Sequence, residues 1–252
     1  MPGTDVHPVE WSGLALTDIR AILLDIEGTT TPIAFVHQVL FPYARARVHD
    51  YLHQHADDPA VRADVALLRA EYAAEAPSSP DLPAWSPEGY VYWLMDRDRK
   101  STGLKALQGR IWEAGYRAGE LKGKGEVYPD VRPALERWHG AGKTIAIFSS
   151  GSVQAQRDLF ANTTAGDLTA FLSDYFDTTT GPKRDANSYR TIAAALEQSP
   201  SHVLFVSDVV AELDAAHTAD MRTALCMREL ESPIPTPDPV DHPRIHSLAE
   251  LA

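Results

Sequence analysis

Two acids one residue apart, Asp25 and Glu27, close the apolar run "AILL" and are followed at once by Gly28 and three threonines. Carboxylates so placed suit nucleophilic attack, proton transfer or a hard cation. Elsewhere, Ser149, Ser150 and Gly151 follow "TIAIF", Ser207 and Asp208 follow "VLFV", and Lys183 stands in the loop "TTTGPKRDANSY". Brought together, these would supply acids, hydroxyls, one amine and free backbone amides. That set fits phosphoryl transfer assisted by Mg2+, in which oxygens hold the ion while cations and amide donors absorb charge on the moving group.

Each residue alone has a plainer account. Asp25 could end a solvated strand, Glu27 could be an exposed turn residue, Ser149 and Ser150 could cap a helix, Asp208 could cap another, and a loop lysine is usually only solvated. Capping and phosphate binding are compatible, because both use a helix N-terminus. What argues for chemistry is the shared position at strand ends.

Four runs read as buried strands: "AILLD" at 21–25, "TIAIFSS" at 144–150, "HVLFVSD" at 202–208 and "TALCM" at 223–227. Each is near-continuously apolar, as parallel strands covered on both faces must be. Helical patterns lie between the later ones. One spans 130–141 with Asp130 as N-cap, one opens at Ser152, one at Ser188, and one follows Asp208. This alternation predicts an α/β fold with a doubly wound parallel sheet, whose ligands collect at the carboxyl ends of the strands. The first strand breaks the rhythm, since over a hundred residues separate it from the next. Val36, Val39, Leu40 and Tyr43, then Leu104, Leu107, Ile111 and Leu121, recur at helical spacing. The expected organisation is a core of residues 1–31 and 126–252, with an all-helical domain at 32–125 inserted after the first strand. Residues 76–89 read as a Pro/Ser-rich connector and 122–130 as a return hinge. The tail "SPIPTPDPVDHP" should run extended before "RIHSLAEL" docks a last short element.

The 252 residues carry a formal net charge of -12, which argues against a nucleic-acid or anionic-lipid partner. Cys226, the only cysteine, excludes an internal disulfide and a multi-thiolate metal site. The N-terminal stretch lacks the pattern of a secretory signal, and no apolar run approaches the roughly 20 residues that span a bilayer. The expectation is a cytoplasmic protein.

"LLDIEGTT", "FSSGS", "GPKRDANSY" and "VSDVVAE" resemble, in order, the four motifs of the haloacid dehalogenase superfamily. Glu27 stands where most superfamily phosphatases have aspartate. Together with "LLDIEGTTTPIAFVHQVLFPYA", "DRKSTGLKALQGRIW" and "SSGSVQAQ", it makes residues 20–227 similar to the enolase-phosphatases. The resemblance implies a Rossmannoid core with a helical cap and one Mg2+ per subunit. It also implies conversion of 2,3-diketo-5-methylthiopentyl 1-phosphate to an acireductone and phosphate in methionine salvage. Asp25 would be the nucleophile and form an aspartyl-phosphate. Asp25, Glu27 and Asp208 would hold the metal, Glu27 through its backbone carbonyl, with its side chain as acid and base. Ser149, Ser150, Gly151 and Lys183 would bind the phosphate, and Glu212 would support the metal or its waters. A small phosphate ester is the expected partner, and a monomer the expected state. Arg99 or Lys100 could face the diketone or only solvent. Trp93, Leu94 and Met95 could be cap core or a thioether pocket. A phosphatase for another small ester and a non-catalytic phosphometabolite-binding protein are the alternatives.

Overall fold

The computed structural model describes residues 16–99, 101–228 and 242–251. Six strands form one sheet: β1 Ala21–Leu24, β2 Thr144–Phe148, β3 Asp174–Phe176, β4 Val203–Ser207, β5 Arg222–Cys226 and β6 Arg244–Ile245. Their order is β3-β2-β1-β4-β5-β6 and every pairing is parallel. The four expected strands are all present. The other two carry too little apolar sequence to stand out, β3 being three residues with an exposed Asp174 and β6 only two residues long.

The chain builds outward from β1 through β2 to β3, then crosses β1 to build β4, β5 and β6 on its other side. That reversal places a crevice at the carboxyl end of β1. Leu24 pairs with Ile147 of β2 and Val206 of β4, so Asp25 emerges between the ends of both neighbours. Both faces of the sheet are covered, which is why its strands are apolar throughout. Ile22, Leu24, Ile145 and Val206 pack on one side, with Leu135 and Trp138 of α7 (Val131–Gly140) and Phe160 of α8 (Val153–Ala161). Leu23, Phe148 and Phe205 pack on the other, with Tyr189 of α9 (Ala186–Ala195) and Leu213 of α10 (Val210–Thr218).

Between β1 and α7 the chain is helical. It runs through α1 (Ile33–Phe35), a π-helical turn (Val36–Leu40), α2 (Phe41–Arg45), α3 (Val48–Gln54), α4 (Pro59–Glu75), α5 (Pro87–Asp96) and α6 (Thr102–Arg117). Helices α2–α6 share a separate core containing Val48, Leu68, Tyr90, Val91, Leu107 and Ile111, whereas Phe35, Val36 and Leu40 pack with the core of the sheet. Gly103 lets α4 and α6 approach closely, since a Cβ there would lie 2.7 Å from Leu68. The fold is therefore a doubly wound α/β sheet with an inserted helical cap. Among the described residues no helix is long and apolar enough to cross a membrane.

Several local expectations are corrected. Asp130 makes no capping bond to α7, because its carboxylate instead accepts from Arg228, Ser247 and Leu248. Helix α9 starts before Ser188, at Ala186, where Asp185 accepts from the Asn187 amide at 2.9 Å. Leu121 is buried but lies beyond the end of α6 and packs with the core sheet. The connector ends early, since Ser86 already caps α5. At the chain's other end "RIHSLAEL" does dock, as β6 and a 3-10 turn at Leu248–Glu250. The proline-rich stretch at 232–243 lies outside the described residues apart from His242 and Pro243.

Candidate active site

At the end of β1 the Asp25 amide donates to Val206 O at 3.0 Å, which continues the ladder for one residue before the chain turns. The Asp25 carboxylate folds back to accept from the Ile26 amide at 2.7 Å. Thr30 closes the turn, its hydroxyl donating to the carbonyl of Asp25 at 3.0 Å. Gly28 sits at φ +67, where a side chain is strained, and a Cβ there would meet Asp208 Oδ2 at 2.2 Å. The glycine thus lets the β4 end close on the β1 loop. From behind, Arg228 donates to Thr29 O at 2.6 and 3.2 Å and to Asp130 at 2.8 Å, tying this loop to the base of α7.

Around Asp25 the groups converge. Lys183 Nζ lies 2.7 Å from Asp25 Oδ1 and 2.6 Å from Glu212 Oε2. The Ser207 hydroxyl, fully buried, donates to Asp25 Oδ2 at 2.9 Å. Tyr189 fixes the lysine loop by donating to the Lys183 carbonyl at 2.7 Å. Burial pulls the Lys183 ammonium downward, but Asp25 and Glu212 outweigh it and hold the group above its ordinary value. Burial, then the Asp25 charge, push the Asp208 carboxyl up to about 7. Glu212 is raised by the same two causes, with Lys183 opposing them. The cluster therefore holds more negative charge than its lysine offsets.

On the β2 side Ser149 is buried, and its hydroxyl accepts from the Gly151 amide at 3.2 Å. Neither Ser149 nor Ser150 caps α8. Ser152 does, accepting from the Ala155 amide at 3.2 Å. Gln156 anchors the turn from within, its amide donating to Gly151 O and Phe176 O, both at 2.8 Å. Asp177, after β3, accepts from the Val153 amide at 3.1 Å and supports the first turn of α8.

A cleft of about 810 Å3 opens between this strand-end surface and the cap. Glu27, Ser149 and Ser150 line its floor, and Phe41, Lys105 and Trp112 its roof. Lys105 reaches across to Thr178 at 3.4 Å. Burial draws its ammonium below the ordinary value, while Asp177 and Glu27 oppose that shift.

The structure thus brings together Asp25, Lys183, Asp208 and Glu212, with Glu27, Ser149, Ser150 and Gly151 on the adjoining cleft wall. Trp93 is cap core, whereas Leu94 and Met95 also reach the cleft. Arg99 lines the cleft but pairs with Glu75 at 2.6 Å, and Lys100 lies outside the described residues. Lys105, Gln156, Asp177 and Arg228 were not foreseen. None of the four carries a local signal in the sequence that sets it apart.

The donor set suits a hard dication. Asp25, Asp208 and Glu212 offer carboxylate oxygens and the loop after Asp25 offers carbonyls, without imidazole or thiolate among them. The raised Asp208 carboxyl marks a place where added positive charge is needed to keep the acid ionised.

Residues 19–220 match the haloacid dehalogenase-like hydrolase family. The chain is 56% identical over 239 residues to enolase-phosphatase E1 of Synechococcus elongatus, covering 92% of this chain and 98% of that one. It is 50% identical to the enolase-phosphatase E1 of Sorangium cellulosum, over 85% of this chain and 90% of the other. The crystal structure of the UTR4 protein of Saccharomyces cerevisiae superposes with a TM-score of 0.69 at 32% identity, covering 91% and 98% of the two chains. With the strand-end acids, the buried lysine and the helical cap, these likenesses make the chain a member of the enolase-phosphatase family within the haloacid dehalogenase-like hydrolases.

Proposed function

We propose that the protein is an enolase-phosphatase acting on 2,3-diketo-5-methylthiopentyl 1-phosphate, with residues 32–125 as the cap over a core of 1–31 and 126–252. The observation that carries this reading is Asp25, held between Lys183 and Ser207 and next in the chain to Ile26 and Glu27, which line a cleft roofed by the helical insert. Held on both oxygens, its carboxylate is oriented before substrate arrives, which lowers the entropic cost of attack. Attack on phosphorus forms an aspartyl-phosphate as the bond to the substrate oxygen breaks, and water then releases phosphate and frees Asp25. Lys183 offsets the charge on the transferring group, and the Ser149–Gly151 turn offers hydroxyls and amides to its oxygens. Glu27, on the cleft wall, gives the leaving oxygen its proton and later takes one from water.

Asp25, Asp208 and the Glu27 carbonyl would hold Mg2+, with Glu212 behind them. The bound ion would supply Lewis-acid stabilisation of oxygen charge. For the enolisation, the proton leaves the carbon beside a carbonyl and the carbonyl oxygen gains negative charge. Lys105 faces that charge from the cap, and Glu27 is the nearby proton acceptor. Phe41 and Trp112, stacked with ring centroids 6.3 Å apart, give the apolar end of the substrate a surface.

The test supplies the diketone phosphate with Mg2+ and follows inorganic phosphate together with enediol absorbance. Both products should appear. Phosphate without the enediol would reduce the protein to a phosphatase for some other small ester, and neither would favour a binding protein. Lys105→Met should slow enediol formation more than phosphate release from a simple aryl phosphate. An equal loss in both would remove Lys105 from the enolisation step.

A further inference from the structure

We propose that the cap carries a second metal site, made by His49, His53 and Glu88, for a borderline divalent ion such as Zn2+ or Ni2+. Helix α3 buries Val48 and Leu52 in the cap core. His49 and His53 each follow one of those anchors by one residue, so they lie on an adjacent, outward stripe of the helix, one turn apart. Their ring centroids are 4.3 Å apart with planes tilted by 58°. Glu88, in the first turn of α5, approaches from the neighbouring helix, its Oε1 3.6 Å from His53 Nε2. One ligand atom from each of the three lies within 4.8 Å of the other two. Among the described residues no other group of three histidine, cysteine or acidic side chains meets that condition.

Metal–ligand bonds of about 2.0–2.2 Å place the donors of a tetrahedral site roughly 3.3–3.6 Å apart. The His53–Glu88 separation of 3.6 Å is already at that spacing, and the remaining ligand atoms lie within 4.8 Å. Both histidines are exposed and can turn inward without disturbing the cap core. Two imidazoles and one carboxylate favour Zn2+, Ni2+ or Cu2+, whereas Mg2+ prefers oxygen donors. Three protein ligands leave a position for water, so the ion would be exchangeable. The strand-end cluster contains no imidazole, so the two sites should sort metals by donor chemistry. An ion here would tie α3 to α5 and stabilise the folded cap, because the triad is assembled only in the folded chain.

Calorimetric titration of the full chain with Zn2+, in saturating Mg2+, tests the site. One Zn2+ per chain should bind, and binding should raise Tm. Asp25→Asn, which alters only the strand-end cluster, should take up the same ion. His49→Ala and His53→Ala should each weaken binding by at least the roughly tenfold that loss of an outer partner costs a metal site, and should abolish the Zn2+-dependent rise in Tm. Unchanged metal-free Tm in those variants shows that the loss is not unfolding. No uptake by the parent chain in Mg2+, or undiminished uptake in both histidine variants, overturns the proposal.

Discussion

Lys183 meets Asp25 at 2.7 Å and Glu212 at 2.6 Å, with no side chain of the three more than 11% exposed. On the cap, Arg117 meets Glu113 at 2.5 Å, but the arginine is 78% exposed. The distances are alike; the solvation is not. Water already screens the cap pair, so forming it changes little. The strand-end groups have lost their water, and each depends on the others to remain charged. The acidic excess at the strand ends suits a hard dication and the buried Lys183 suits an anionic group, whereas the cap pair is only a solvated surface contact.

Removing a charge should reveal this contrast most strongly at the buried end. Lys183→Met leaves Asp25, Asp208 and Glu212 without their cation and should cost about 3–5 kcal/mol in urea unfolding without metal. A loss near zero would mean the acids are protonated or solvated. Next is Arg228→Ala, which strips the support behind the Asp25 turn and should cost about 2–3 kcal/mol, the scale of a buried charged hydrogen bond, with turnover falling as well. The pH dependence comes third. The folded Asp208 carboxyl lies at about 7 against an ordinary 3.8, so its contribution is fully present below 3.8 and is lost as pH rises through about 7. The metal-free chain should lose stability over that interval. Mg2+ favours the ionised acid and should raise Tm more at pH 8 than at pH 5, by at least ~2–4 °C, the shift that about 1 kcal/mol produces in a domain of this size. The smallest effect is Arg117→Ala, which should stay within about 0.5 kcal/mol. A larger loss there would erase the distinction between the two regions.

The part of this arrangement that can be read from sequence is the part fixed by local pattern. Asp25, Ser149 and Asp208 stand out because β1, β2 and β4 are buried on both faces and read as unbroken apolar runs. Lys183 has no such pattern around it and is recognised by the resemblance of its loop. Strand β3 was invisible because its three residues sit at a sheet edge with Asp174 exposed. Asp130 looks like a helix cap, yet Arg228 and the chain end, about a hundred residues away, take its carboxylate. Lys105 is ordinary in sequence. Its environment arises only when the cap closes over the sheet and sets it opposite Glu27 and Asp177. Local pattern reports backbone and burial, whereas tertiary competition decides which polar group meets which.

Turnover of the diketone phosphate by Asp25→Asn, measured beside its Tm, tests the central claim most directly. Asparagine keeps the shape of the side chain but cannot form the aspartyl-phosphate, so release of phosphate should fall on the order of 10^4-fold or more while the folded structure persists. Phosphate release near the parent rate in a folded Asp25→Asn chain would contradict the account.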